Sequence, residues 1–183
     1  MLIDKSNRSS LRDSVSAEDD FHIRSYVAAD QPDVWHLYQK GMLAGHVDPK
    51  DDVSDLTDIE NNYFKRSQDH FWVAEAKNSV IGTVALAEDD AGVARLWRLR
   101  VSPFWQLDNR VVSALVRTAI EHARSHGCLK VVFQSSLDGA RAIALLEGMG
   151  LQFARIRDAG GRHMIEFYDN LYATPDDGSF ANP

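Results

Sequence analysis

A mixed α/β fold, one central sheet flanked by helices, is predicted by three observations on this 183-residue chain. The apolar period switches from helical to alternating near His70, and the segments 71–76, 80–87 and 93–101 are separated only by short turn signals, Asn78-Ser79 and Asp89-Asp90-Ala91-Gly92. Such spacing makes three hairpin-linked antiparallel strands. A long amphipathic segment with Val112, Leu115, Val116, Ala119, Ile120 and Ala123 on one face then runs to Gly127 and into the apolar run Leu129–Gln134. A strand, a crossover helix and a second strand form the connection that parallel neighbours require.

The remaining elements follow in order. Phe21–Val27 alternates as a strand, and Asp30 with Pro32 opens a helix carrying Val34, Leu37, Tyr38 and Met42 that ends near residues 41–45. Asp55–Ser67 offers a second helix with Leu56, Ile59, Tyr63 and Phe64 on one side and Asp55 as its cap. After the fifth strand, Ala142, Leu145, Leu146 and Met149 mark a helix closed by Gly150, and Leu151–Ile156 and His163–Tyr168 form a last hairpin across Gly160-Gly161. The order is β-α-α-β-β-β-α-β-α-β-β. Residues 21–171 make one domain between a polar N-terminal tail, 1–20, and a C-terminal tail, 172–183.

Composition narrows the function. Hydrophobic residues are 44% and charged residues 26% of the chain, the balance of a folded water-soluble protein, and no run approaches the about 18 apolar residues a bilayer span needs. Membrane insertion is not expected. The single cysteine, Cys128, forms neither an internal disulfide nor a thiolate cluster, which suits a reducing, cytoplasmic setting, and it reads as a small core residue. A formal charge of −7 opposes broad attraction to nucleic acid. His122 and His126, four apart on the long helix, read as a solvated face because no third ligand accompanies them. Alternation places Arg95 on one sheet face and Arg98 and Arg100 on the other, with surface salt bridging as their role.

The element order, with Arg98-Leu99-Arg100-Val101-Ser102-Pro103 leading into the long helix, resembles the GNAT superfamily of acyl-coenzyme A dependent N-acyltransferases over residues 21–171. Asp58-Ile59-Glu60-Asn61-Asn62-Tyr63-Phe64, Phe71-Trp72-Val73-Ala74-Glu75 and Ile81-Gly82-Thr83-Val84-Ala85-Leu86 look most like its camello-type branch, and Ala142–Leu151 is similar to the family's late helix and turn. The resemblance implies a sheet splayed between the fourth and fifth strands and acetyl-CoA as co-substrate. Its pantetheine arm would lie along Leu99 and Val101, and its pyrophosphate in the loop that here reads Gln106-Leu107-Asp108-Asn109-Arg110-Val111. Gln106, Asn109 and Arg110 are the implied phosphate-side residues.

Both loop glycines of the family pattern are replaced, by Asn109 and Val111. Asp108 brings negative charge to a helix end suited to phosphate, and a branched Val111 narrows the approach, so the loop predicts weak acetyl-CoA binding. Where many members place a glutamate base and a tyrosine acid, the sequence has Arg95 and Leu146. Glu75, Glu88 and Tyr168 are candidates for a proton relay that also read as ordinary strand residues, and no base is assigned. Two functions stand. One is N-acyltransfer, acetyl from acetyl-CoA to a primary amine on a small molecule or peptide, with a strand-four backbone N–H polarising the thioester carbonyl. The other is a non-catalytic module that has lost coenzyme binding. The acidic run Asp48, Asp51, Asp52 and Asp55 suits attraction of a cationic amine, and Phe104-Trp105 suits closure of the cleft or contact with a partner, a homodimer included.

Overall fold

The computed structural model describes residues 21–40, 51–89, 91–105, 109–136, 140–159 and 162–172. Its strands are β1 (His22–Ser25), β2 (His70–Ala76), β3 (Ser79–Glu88), β4 (Val93–Val101), β5 (Lys130–Ser136), β6 (Gln152–Ala159) and β7 (Arg162–Asn170). Its α-helices are α1 (Gln31–Lys40), α2 (Ser54–Thr57), α3 (Ile59–Tyr63), α4 (Asn109–Ser125) and α5 (Ala140–Gly148), with a single 3₁₀ turn at Ala28–Asp30 before α1. The strands form one sheet in the order β1-β2-β3-β4-β5-β7-β6. Among the described strands β4 and β5 are the parallel pair, joined through α4 as the crossover rule demands. Residues 1–20 and 173–183 of the expected tails, and the expected end of the first helix at 41–45, lie outside the described residues.

Each face of the sheet carries its own core. On one face Val111, Val112, Leu115, Val116, Ala119, Ile120 and Ala123 of α4 pack with Leu146 of α5 on Trp72, Ala74, Ile81, Val84, Leu86, Leu96, Leu99, Val101, Val131 and Phe133. On the other, Val34, Leu37 and Tyr38 of α1 join Leu56, Ile59 and Tyr63 on Phe71, Val73 and Ala85. Helices α4 and α5 end alike: Gly127 (φ +80°) and Gly150 (φ +88°) take the left-handed conformation. Cys128 N–H then returns to Ala123 O at 3.0 Å, and Leu151 N–H to Leu146 O at 3.1 Å.

Two expectations are corrected. The single helix 55–67 is two short helices, α2 and α3, broken at Asp58 (φ −147°, ψ 66°). The Asp58 carboxylate accepts from the Asn61 backbone N–H at 3.3 Å and from its side-chain amide at 2.9 and 2.7 Å, so the break is a capped restart. Asp55 does not cap α2; its carboxylate accepts from Arg98 and from the Tyr63 hydroxyl. The second correction lies in β4. Pairing with β3 shifts register between Ala85↔Trp97 and Thr83↔Arg100, and Arg98 sits at φ +54°. This bulge inserts one extra residue and reverses the alternation. Ala94 and Leu96 before it, and Leu99 and Val101 after it, all enter the α4-side core. Arg95, Trp97, Arg98 and Arg100 therefore share the opposite face, where strict alternation separated Arg95 from the other two arginines.

Candidate functional site

Parallel pairing of β4 with β5 runs from Val93↔Lys130 to Leu96↔Phe133 and stops. Beyond it β4 stays with β3 as far as Gly82↔Val101, while β5 stays with β7 through Ser136↔Met164. The two strands thus diverge at their C-terminal ends and leave a gap whose edges have no strand partner among the described residues. Ser102 N–H donates to Ile81 O at 2.8 Å, and Arg100 pairs with Thr83, so residues 100 and 102 turn their amides toward β3. By alternation the N–H and C=O of Leu99 and Val101 point into the gap. Their side chains, 4% and 0% exposed, anchor the opened edge in the α4-side core. A strand edge held rigid and left unpaired is a template for another extended, amide-bearing chain.

At the head of the gap stands the first turn of α4. Asn109 and Arg110 lie exposed there, and no acidic side chain occupies that turn. Gln106 and Asp108 lie outside the described residues. Val111 departs from expectation, because its side chain is fully buried in the α4-side core and does not narrow an approach to the helix end. Gly82 makes the room: a Cβ built on it would meet Leu115 Cδ1 at 3.0 Å, Arg100 O at 3.2 Å and Val111 Cγ1 at 3.3 Å. Bulk at 111 is matched by its absence at 82.

The α1-side face of β4 carries an ionic clamp. Arg98 Nη1 donates to Asp51 Oδ2 at 2.5 Å, its Nε and Nη2 to the two Asp55 carboxylate oxygens at 2.8 and 2.5 Å, and Nη2 also to Asp52 O at 2.6 Å. Tyr38 donates to Asp51 at 2.9 Å and Tyr63 to Asp55 at 2.5 Å. Burial and the Asp51 bond push the Tyr38 hydroxyl up to about 12. Burial likewise raises Tyr63, helped by Asp55. Burial opposes the Arg98 charge, but bonds to Asp55 and Asp51 more than offset it and raise its pKa. These bonds commit Asp51 and Asp55 to holding the bulge, which corrects their reading as bait for a cationic amine. Arg100 lies beside them, 8% exposed, its guanidinium 5.7 Å from the Tyr38 ring centre, and burial lowers its pKa.

Farther along the same face Arg95, Leu96, Trp97, Val132, Gln134 and Met164 line a pocket of about 90 Å³ where the strands begin to part. Behind it the buried Glu166 accepts from Gln134 Nε2 at 3.0 Å and from Arg155 Nε at 3.2 Å. Glu75 is bound by Arg24 at 2.6 Å near the β1 edge, two strands from the gap. Glu88 pairs with Ala94 at the closed end of β4. Tyr168 lies opposite Val132 in the paired region, its ring 4.4 Å from Lys130 Nζ. Leu146 and Cys128 are core residues. Arg95 meets Asp89 at 3.6 Å, a surface pair as expected.

Of the two histidines on α4, His126 is exposed as expected, whereas His122 is half-buried. His122 stacks on His126 at 4.0 Å and lies 5.2 Å from His70 and 5.0 Å from Trp72 between ring centres. Burial and the two neighbouring histidines depress His70 to about 4, and burial, then His126, lowers His122. Among the described residues no group of three or more His, Cys, Asp or Glu side chains has metal-holding geometry. Phe104 is 96% exposed, whereas Trp105 packs edge-on against Phe21 at 6.3 Å.

Sequence reasoning found the gap and the helix end but missed the clamp and Arg100. The signal for both was present as Arg98 and Arg100 on one face of a strand of an acidic protein, and strict alternation obscured the bulge that brings Arg95 to the same face.

Solved structures share this fold. An acetyltransferase of the GNAT family from Staphylococcus aureus superposes with a TM-score of 0.71 at 18% identity over 83% of this chain and 99% of its own. The ribosomal-protein-S18-alanine N-acetyltransferase of Escherichia coli gives 0.66 at 19% identity over 88% and 100%. A putative acetyltransferase from Salmonella typhimurium, solved with acetyl-CoA, gives 0.67 at 18% identity over 86% and 99%. Among curated proteins, human N-acetyltransferase 8B is 32% identical over 104 residues, 54% of this chain and 45% of its own length. Rat N-acetyltransferase 8 is 36% identical over 104 residues, 54% and 46%. The chain spans about half the length of the curated relatives it matches. The model of the Acetyltransferase (GNAT) family matches residues 32–151, more than half of the sequence. With its order of elements, parallel β4–β5 pair and this match, the chain belongs to the Acetyltransferase (GNAT) family.

Proposed function

We propose that this chain transfers an acetyl group from acetyl-CoA to a primary amine in the gap between β4 and β5. The observation that carries the reading is the unpaired backbone of Leu99 and Val101 beyond the last parallel pair, Leu96↔Phe133. The residues present fit the co-substrate. The opened β4 edge offers donors and acceptors to the pantetheine amides, and the first turn of α4 offers backbone N–H groups and Arg110 to phosphate, with the Val111 side chain turned into the core. When bound, acetyl-CoA supplies an acetyl thioester.

In this reading the Leu99 N–H, held by the bulge and by its buried side chain, polarises the thioester carbonyl without reorganising. The amine nitrogen forms the new N–C bond as the C–S bond breaks; the nitrogen's proton leaves to solvent, and the sulfur departs as thiolate, a fair leaving group near its ordinary pKa of about 8.5. Glu75 and Glu88 lie away from the gap, and Glu166 is engaged by Arg155 and Gln134, so positioning and backbone polarisation carry the chemistry in this reading. Cys128 as the single cysteine suits a reducing, cytoplasmic compartment, and no helix among the described residues is long and apolar enough to cross a membrane.

A second reading, a module that holds coenzyme A without turnover or has lost it, is favoured by the absence of any glycine between Pro103 and Gly127. Release of free CoA thiol from acetyl-CoA on adding an amine panel distinguishes the two. The acetyl-transfer reading expects amine-dependent release and an acetylated amine by mass; no release from any amine would favour the module.

A further inference from the structure

Arg100 differs from every neighbouring cation on its strand. Arg98 is saturated by Asp51 and Asp55, and Arg95 is paired with Asp89. Arg100 is more than nine-tenths buried, and its Nε has no hydrogen-bond partner among the described residues. A guanidinium withdrawn from water without an acceptor is destabilising, and an apolar side chain of similar size would fit the same space at less cost. Among the described residues it meets the face of Tyr38, a cation–π contact that gives Nε no acceptor, and the Asp51 charge acts on it without a hydrogen bond.

The location says what the fork is for. Arg100 lies on the length of β4 that β5 has left, and it directly follows Leu99, whose N–H faces the gap. It projects to the α1 side, while α4 packs on the opposite face through Val111 and Leu115, so a phosphate at the α4 end is out of its direction. We propose that Arg100 binds the carboxylate of the acceptor, and that the acceptor is an amino acid or a similar small amine that also carries a carboxylate. The planar fork matches a carboxylate through two parallel hydrogen bonds. Leu99 and Arg100 are consecutive, so an amine at the Leu99 edge and a carboxylate at the Arg100 fork lie within one arginine side chain's reach of each other and belong to one small molecule. This inference rests on the acetyl-transfer reading and names the substrate class for that site.

The test compares wild type, Arg100→Met and Arg100→Lys against an equimolar pool of the common amino acids and a pool of their primary amides. Two readouts are taken: thermal unfolding, and CoA release from acetyl-CoA. The acids should raise the wild-type Tm by about 3 °C near saturation while the amides do not. The acids should also exceed the amides at least about tenfold in kcat/KM. Arg100→Met should unfold no earlier than wild type without ligand, lose the acid-specific Tm shift and bring the acid-to-amide ratio near one; Arg100→Lys should keep part of both. Equal responses of wild type to acids and amides would overturn the proposal whatever the variants do, as would a ratio unchanged in Arg100→Met. An acid-specific Tm shift without CoA release from either pool would sustain the carboxylate site and sink the acetyl-transfer reading, so the two fail separately.

Discussion

Arg98 holds together the strand on which the proposed chemistry depends. It occupies a left-handed conformation, φ +54°, that an ordinary side chain adopts only when its surroundings compensate, and its bonds to Asp51 and Asp55 do so. Arg98→Ala should destabilise the protein by about 3 kcal/mol in urea unfolding, because two half-buried carboxylates lose their counter-charge together. Arg98→Lys should recover only part of this, since an ammonium cannot span both carboxylates with a fork. Gly82 and Val111 give a second residue-scale test. Gly82→Ala should cost about 1–3 kcal/mol through contact with Leu115, the Arg100 carbonyl and Val111. Adding Val111→Ala should cost less than the sum of the two single changes, which a double-mutant cycle measures. Neither relation is legible in sequence. The partners of Arg98 lie 43 and 47 positions away, and the complementarity of a glycine on β3 with a valine on α4 is visible only once α4 packs on β3.

Elements were far more legible than their partners. The strand 93–101 is predicted with its observed bounds, and the long helix is found from its apolar stripe, because a hydrophobic period of 2 or 3.6 is local information. The helix over 55–67 was not, since periodicity continues across Asp58 while the Asn61 bonds that restart the helix do not show in the pattern. The histidine pair on α4 suffered likewise: its third member, His70, arrives from β2. That packing has a pH signature. His70 is depressed in the folded state to about 4 from an ordinary value near 6.5, so the folded protein binds fewer protons than the unfolded chain between these values. Stability from this group is present above about pH 6.5 and is lost as pH falls toward 4. Asp69, beside His122, pulls weakly the other way. His70→Gln should flatten the stability profile over that window, removing a slope approaching about 1.4 kcal/mol per pH unit, as measured by urea unfolding at several pH values. An unchanged slope would show that the cluster takes up its proton without cost.

At the scale of the whole molecule, a mixed sheet parts where β4 and β5 run parallel, and both sides of the opening, Leu99 and Val101 on one and Val131 and Phe133 on the other, are anchored in the α4-side core. That opening was implied by the resemblance of the sequence, whereas the opposite readings of its loop turned on the Asp108 charge, which lies outside the described residues, and on the glycines replaced by Asn109 and Val111. In the structure Val111 is a core residue, which removes the steric argument against coenzyme binding and leaves the opened edge of β4 and the exposed first turn of α4 in its favour. The central claim is that acetyl-CoA occupies the gap between β4 and β5, and isothermal titration of the wild-type protein with acetyl-CoA tests it most directly. The account predicts saturable one-to-one binding that weakens as salt is raised, because part of it is phosphate held near Arg110 and the end of α4. Absence of binding at low salt by a protein that is otherwise folded would contradict it.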